Sequence, residues 1–328
     1  MEHQLNNRLK SQFDLNSYDD LYYILCLDKH TRIEGLCSEI AFQEDIVSGN
    51  LYPVAGDFWF SSVNTDYDIV YKIVPDPSKN LTSFEYKVLD HLSVFSQISI
   101  IVYDEKRGGF YELPYQKGIR FPTLIADNEL IPRQKHFKPA NMNERDRIRI
   151  KMAMEYMLEK GRSVKEAVIK RLFANFFLPP RSWDIDTFTV NDDGKIFGIE
   201  VKQKDPTNLN TYGLNNGEKN LFDFLLRNQI PVIYLILNKP VEDKSIPAID
   251  LLTKTEFVQQ TIWRYTLYSP EKTKPAQSSA PPKTEYGGRK PQKYFHMALS
   301  YFQDLKMYGE QAMNVRRKIL NELSTTSS

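Results

Sequence analysis

Trp183-Asp184-Ile185-Asp186-Thr187-Phe188-Thr189-Val190, followed by Asn191-Asp192-Asp193-Gly194 and then Lys195-Ile196-Phe197-Gly198-Ile199-Glu200-Val201-Lys202-Gln203-Lys204, reads as two strands joined by a tight turn. Both flanks are rich in β-branched and aromatic residues, and an Asp-Gly step lies between them. Asp186, Glu200 and Lys202 interrupt segments that are otherwise suited to burial. A buried charge is costly unless it is paired or bound to a metal.

The turn sets the register. A three-residue hairpin loop is a type I turn followed by a glycine in the left-handed conformation, and Asp192-Asp193-Gly194 fits it, closed by Asn191 opposite Lys195. Counting outward, Val190 faces Ile196, Phe188 faces Gly198, Asp186 faces Glu200 and Asp184 faces Lys202. Opposed residues share a sheet face with Cβ atoms about 5 Å apart. A four-residue loop, 191–194, shifts the register by one and turns Asp186 away from Glu200. In the first register two carboxylates roughly 4 Å apart repel by about 4 kcal/mol at an effective dielectric near 20. They need a cation or a shared proton. Hard oxygen ligands favour Mg²⁺, Mn²⁺ or Ca²⁺, and no His or Cys stands nearby to suggest zinc. Lys202 partly offsets the repulsion.

Composition sets wide bounds. At 328 residues the chain is long enough for two domains, or one with an appendage. Apolar residues make up 41%, which supplies a core and argues against wholesale disorder. The net charge of +1 neither favours nor excludes nucleic acid, so local patches must decide. Cys26 and Cys37 match no metal or redox spacing and suit a reducing compartment. Residues 1–8 lack the apolar stretch of a signal peptide, and no apolar run approaches the roughly 20 residues of a membrane span. A soluble, cytoplasmic protein is expected.

In order along the chain, residues 1–140 mix short strands and helices and read as an N-terminal substrate-recognition or partner domain. Leu21 to Leu27 fits either a strand or a buried helical turn. Asp68 to Val74 and Ile98 to Tyr103 read as strands, Phe84 to Leu92 as a helix, and Lys106 to Leu113 as a hairpin. Asp66 and Asp68 read as a solvated face, and His30, His91 and His136 as structural or surface residues. A helix opens at the cap Asn143 and ends at Gly161. Its Arg145, Arg147, Arg149 and Lys151, with Arg133, Lys135 and Lys138 upstream, form either a solvated face or a contact for nucleic-acid phosphates. A second helix spans Ser163 to Phe177, stopped by Pro179-Pro180. There Glu166 either closes a capping box with Ser163 or projects towards the hairpin as a ligand. A third helix opens at Asn215-Asn216-Gly217-Glu218, and Ile230 to Leu237 is apolar throughout, as in a strand covered on both faces. Glu256 to Tyr268 supplies a last strand. Residues 270–292 form a basic Pro/Ser-rich linker by composition, and 293–328 a helical segment in which Phe295, Leu299, Phe302 and Leu305 share a stripe.

The order helix, strand with Asp186, turn, strand with Glu200-Val201-Lys202, helix, buried strand resembles the PD-(D/E)XK nuclease superfamily, the fold of many restriction enzymes, junction resolvases and nuclease-related domains. The matching stretches are Ile185 to Val190 and Phe197 to Lys202, within residues 160–237, about a quarter of the chain. Ile185 stands where that pattern has a proline. The resemblance implies a mixed α/β fold: a restriction-endonuclease-like core, 141–269, with a mixed central sheet flanked by helices, beside the α+β N-terminal domain and the C-terminal helical extension.

It also implies a metal-dependent endonuclease acting on DNA, with a role in restriction or anti-phage defence as fold-level analogy. Asp186 and Glu200 would hold Mg²⁺, or Mn²⁺ in its place, joined by Glu166 and the backbone carbonyl of Val201. Lys202 would activate water and stabilise developing charge. Asp184 competes for the place of Asp186, and Gln203, Lys204 and Lys219 are further candidates for phosphate contact. RNA or branched DNA is the alternative substrate. An inactive nuclease core serving as a nucleic-acid-binding scaffold is the alternative class. A homodimer or a defence-complex partner would dock through the N-terminal domain or the C-terminal helix.

Overall fold

The computed structural model describes residues 14–45, 53–62, 66–132, 142–179, 181–191, 193–204, 206–207, 209–238, 246–277 and 293–305. The fold is mixed α/β, with a large mixed sheet flanked by helices. Its elements are α1 (Tyr18–Cys26), α2 (His30–Asp45), β1 (Ala55–Ser61), β2 (Ile69–Val74), α3 (Ser83–Leu92), β3 (Gln97–Asp104), β4 (Gly109–Pro114), β5 (Asn128–Glu129), α4 (Glu144–Glu159) and α5 (Val164–Phe176). They continue with β6 (Ser182–Val190), β7 (Ile196–Lys204), β8 (Thr211–Asn215), α6 (Asn216–Arg227), β9 (Val232–Asn238), α7 (Asp250–Thr253), α8 (Thr255–Val258), β10 (Ile262–Leu267), β11 (Thr273–Gln277), β12 (Lys293–Ala298) and β13 (Gln303–Leu305).

Among the described residues, ten strands form one sheet in the order β13-β10-β9-β7-β6-β1-β2-β3-β4-β5, and β11-β12-β8 form a second. Pairing is antiparallel except for β2 with β3 and β7 with β9. Each parallel pair is joined by a crossover that contains a helix, α3 or α6, as parallel neighbours require. On one face Phe197, Ile199 and Val201 of β7 pack with α1, α2, α4 and α5. On the other, Ile196 of β7 and Val232, Tyr234 and Ile236 of β9 pack with α3 and α6. Every residue of β9 is buried, which accounts for its unbroken apolar sequence.

Local chemistry starts the helices. Asn143 caps α4 through a bond from the Asp146 N–H, and Gly161 beyond its end has φ +64°. Thr82 with Glu85 and Asn215 with Glu218 form complete capping boxes on α3 and α6. Leu21 to Cys26 is helical, with Leu21, Ile24 and Leu25 turned inward. No helix among the described residues is long and apolar enough to cross a membrane.

Four sequence expectations change. The boundary expected near residue 140 does not divide the sheet, because β1 from the N-terminal part pairs directly with β6. The expected linker contains β11, paired with β12; residues 278–292 of it lie outside the described residues. The helical stripe Phe295, Leu299, Phe302, Leu305 is instead strand β12, a 3₁₀ turn at Leu299–Tyr301 and strand β13. Phe295 pairs with Leu214 and Pro275 in the ladder, while Phe302 packs on Tyr212 with ring centres 4.8 Å apart. Cross-strand partners, not a helical period, bury these residues. The rest of that segment, 306–328, lies outside the described residues. The expected strand Glu256 to Tyr268 begins only at Ile262, since α8 takes Thr255–Val258.

Candidate active site

The β6–β7 hairpin has the register expected from its turn: Val190 pairs with Ile196, Phe188 with Gly198, and Thr187 with Ile199. Asn191 closes the loop through its N–H to the Lys195 carbonyl at 3.1 Å, and Gly194 has φ +79°. Asp192 lies outside the described residues. Antiparallel bonding alternates, so 191/195, 189/197 and 187/199 are the bonded rungs and the next would tie Val201 to Ile185. The ladder ends instead at Thr187 and Ile199. The Val201 N–H donates to Oδ2 of Asp186 at 2.5 Å, so this carboxylate lies in the gap between the parting strands. The Gly198 N–H bonds Pro231 on the β9 side, so alternation turns the Val201 N–H and C=O towards the β6 side, into the same gap.

β1 is irregular at the same rung. Its pairing with β6 runs Gly56 to Thr187 and then Phe58 to Ile185, which sets Asp57 across from Asp186. Asp57 has φ +66°, a conformation strained for any residue but glycine. Strand side chains alternate between faces. Yet Ala55 and Phe58, three residues apart, join the same core cluster, and so do Phe188 and Ile185. Both strands therefore lose their alternation at one rung. Beyond it, Trp59 packs on the opposite cluster and carries its rung partner Asp184 to that face. This corrects the expectation that Asp184 would share the face of Lys202.

On β7, Glu200 is 1% exposed. One of its oxygens pairs with Lys202 Nζ, and the other, Oε2, is buried with no hydrogen-bond partner. Lys202 also lies 3.8 Å from Oε1 of Glu218, in the first turn of α6. Lys204 Nζ donates to the Gly213 carbonyl at 2.5 Å and to Tyr234 Oη at 2.7 Å. Burial pushes the Asp186 carboxyl up to about 7; Asp184 and Glu218 add to this, while Lys202 and the Val201 N–H oppose it. Burial and then Asp186 push Glu200 well above the usual carboxylate range. Burial works against the Lys202 charge, but Glu200, Asp186, Glu218 and Asp184 hold its ammonium well above the ordinary lysine value. Burial, helped by Lys202, lowers Lys204.

Sequence reasoning missed Glu39 of α2, Glu218, Asp57 and Lys170. Burial, then Asp186 and Asp184, push Glu39 well above the carboxylate range, with Lys202 and Lys170 opposing. Glu166 is paired with Lys79 and acts on the Lys170 charge, and its N–H alone bonds the Ser163 hydroxyl, so the capping box with Ser163 is incomplete. Nothing in the sequence marked Glu39, which lies far upstream. Glu218 carried a signal, its capping position, that pointed to the helix start and not to the site.

Other candidates are spread more widely. Gln203 donates to the Ala248 carbonyl at 2.8 Å, and Lys219 pairs with Asp223 at 2.6 Å. Arg145, Arg147 and Lys151 are exposed on α4, which packs on α1 and α2, while α2 packs on β7. Arg149 is half-buried, with Nη1 3.0 Å from His30 Nε2. His30 Nδ1 lies 3.4 Å from Asp146 and His91 Nε2 lies 3.2 Å from the Asn228 carbonyl, both in structural roles. His136, Arg133, Lys135 and Lys138 lie outside the described residues.

A divalent cation suits this donor set in one respect and is underserved in another. Glu200 Oε2 is a buried carboxyl oxygen with no hydrogen-bond partner, and burial and then Asp186 work against charge on this group. Charge of this kind is relieved by a hard cation. Among the described residues, however, no three His, Cys, Asp or Glu side chains converge as a ready cage. The set on offer is Asp186, Glu200 and the Val201 carbonyl. No family model matches the chain, and no curated protein or solved structure matches it either.

Proposed function

We propose that the chain is a metal-dependent nuclease with a restriction-endonuclease-like core, hydrolysing phosphodiester bonds of DNA. The observation that carries this reading is the unpartnered, buried Oε2 of Glu200 beside the gap that holds Asp186, with Lys202 on the same strand. The order α5, β6, β7, α6, β9, with β7 and β9 parallel, supports the core.

Mg²⁺ or Mn²⁺ held by Asp186, Glu200 and the Val201 carbonyl would lower the pKa of a bound water and polarise a phosphate. The chain's own residues supply the rest. Lys202, kept charged by its carboxylate neighbours, acts as a fixed cation for negative charge growing on the phosphate and not as the base. Glu218 holds that ammonium from the α6 side. Lys204, tied to Gly213 and Tyr234, braces the end of β7. Exposed Arg145, Arg147 and Lys151 offer sequence-independent phosphate contacts on the outer helix layer. A restriction or anti-phage setting rests on fold analogy.

The test is incubation of plasmid, linear and single-stranded DNA, and RNA, with Mg²⁺ or Mn²⁺, comparing wild type with Glu200→Gln and Lys202→Met. Metal-dependent cleavage of DNA, lost in both variants, is expected. Cleavage of RNA or branched DNA alone reassigns the substrate. Equal cleavage by all three proteins removes the mechanism, and binding without cleavage favours an inactive scaffold.

A further inference from the structure

Among the described residues, four non-glycine residues have positive φ, and Arg181, Asn210 and Gln229 of these lie outside the strands. Asp57 alone sits inside one. Strained backbone of this kind persists only where its surroundings over-determine it, and it gathers at functional sites. Here the surroundings can be named. Lys72, 3% exposed on β2, donates to the Gly56 carbonyl at 2.7 Å and is itself neutralised by Glu85 of α3 at 2.7 Å. Lys170 of α5 pairs with the Asp57 carboxylate at 2.7 Å. One lysine comes from the α3 side of the sheet and the other from the α5 side. Together they grip the backbone carbonyl before the break and the side chain at it. The approach is close as well: a Cβ on Gly56 would lie 3.2 Å from the Asp186 carbonyl oxygen.

We infer that Asp57, locked by Lys170 and Lys72, is a positioning residue that directs the Asp186 carboxylate into the gap beside Val201. In a regular β1–β6 ladder, Asp186 would follow Phe188 onto one face and the Val201 N–H would bond Ile185. With the rung turned over, the carboxylate takes that N–H itself. Asp57 also suits the task chemically. Aspartate tolerates left-handed backbone better than most residues, and its charge gives Lys170 something to hold. The consequence for metal binding rests on the nuclease reading; the placement of Asp186 does not.

Amide exchange at Val201, followed by NMR, measures the placement directly, and Mn²⁺ titration by electron paramagnetic resonance measures its effect. Asp57→Val, which resists the left-handed backbone, and Lys170→Met, which leaves the sheet residues intact, should each change Val201 exchange by about 10-fold or more, faster where the strands stay parted and slower where the Ile185 carbonyl takes the N–H. Asp57→Gly, which accepts that backbone, should change it less. The same order should hold for Mn²⁺ affinity, with Asp57→Val and Lys170→Met weaker by about 10-fold. Thermal melting without metal tells which variants fold, and should Asp57→Val not fold, Lys170→Met carries the test. Unchanged Val201 exchange in the folded variants overturns the inference. Altered exchange in the variants of a protein whose wild type binds no Mn²⁺ upholds the positioning role and removes only the nuclease reading.

Discussion

Lys202 reaches two carboxylates from different elements: it pairs with Glu200 on its own strand and lies 3.8 Å from Glu218 on α6. One ammonium therefore compensates a sheet residue and a helix-capping residue together. Removing one member of a buried ion pair leaves an uncompensated charge. Lys202→Met should lower stability by about 2–4 kcal/mol in urea titrations without divalent metal. Adding Glu200→Gln to it should recover most of that loss, a coupling that a double-mutant cycle reads out.

Glu200→Gln alone should act in opposite directions on stability and on activity. Glu200 Oε2 is buried without a partner, and the neutral amide removes the charge with little change of shape. Stability should rise by about 1 kcal/mol while cleavage falls by about 100-fold or more, the exchange expected where a site is strained for its task. Calorimetry and cleavage assays on the same preparation decide it; equal loss in both would point to a purely structural carboxylate.

The acidity of Asp186 makes stability depend on pH. Its folded value is raised to about 7 from an ordinary value of 3.8, so the folded state binds the proton more tightly than the unfolded state does. The resulting stabilisation is complete below the unfolded value and is lost as pH rises through the folded one. In metal-free buffer, Asp186→Asn should match wild type near pH 4 and exceed it by about 1–3 kcal/mol at pH 8. A constant difference across that range would contradict the assignment.

Gly217 lies directly beneath Trp183. A Cβ there would sit 1.9 Å from the indole, and the Tyr67 hydroxyl donates to the Gly217 carbonyl at 3.2 Å. Gly217→Ala must push the ring aside or move the first turn of α6. About 2 kcal/mol of destabilisation is expected from such overpacking. A red shift in tryptophan emission should accompany it, and Trp183→Leu in the same background should restore stability.

Much of the hairpin was legible because its signals are local. Asn191 and Gly194 define a loop whose length sets the register, and residues a few positions apart report on one another. The helix starts at Asn143 and Asn215 are local in the same way. What lay hidden depends on distant partners. A left-handed Asp57 has no signature in its own neighbourhood, and at its rung Asp184 passes to the opposite face. Glu39 comes to the site on a helix that packs against β7, from a part of the chain that local patterning cannot relate to Glu200. Phe295, Leu299, Phe302 and Leu305 carry a helical spacing by coincidence, because Phe295 and Leu305 meet separate cross-strand partners, Phe302 meets a ring, and Leu299 lies in the turn between the strands. The pairing of β1 with β6 was hidden for a related reason: the two strands lie far apart in the sequence.

The small sheet of β11, β12 and β8 has a bearing on when the site comes together. Tyr294 of β12 pairs with Asn215, the residue that caps α6 and so holds Glu218 near Lys202. As the chain leaves the ribosome, Glu200 and Lys202 emerge long before Tyr294 does. Until β12 arrives, the strand that carries the cap has no partner on that side, and the last wall of the site is unsupported. The α6 side of the Lys202 cluster is therefore completed by a strand that lies far downstream of Glu200 in the sequence.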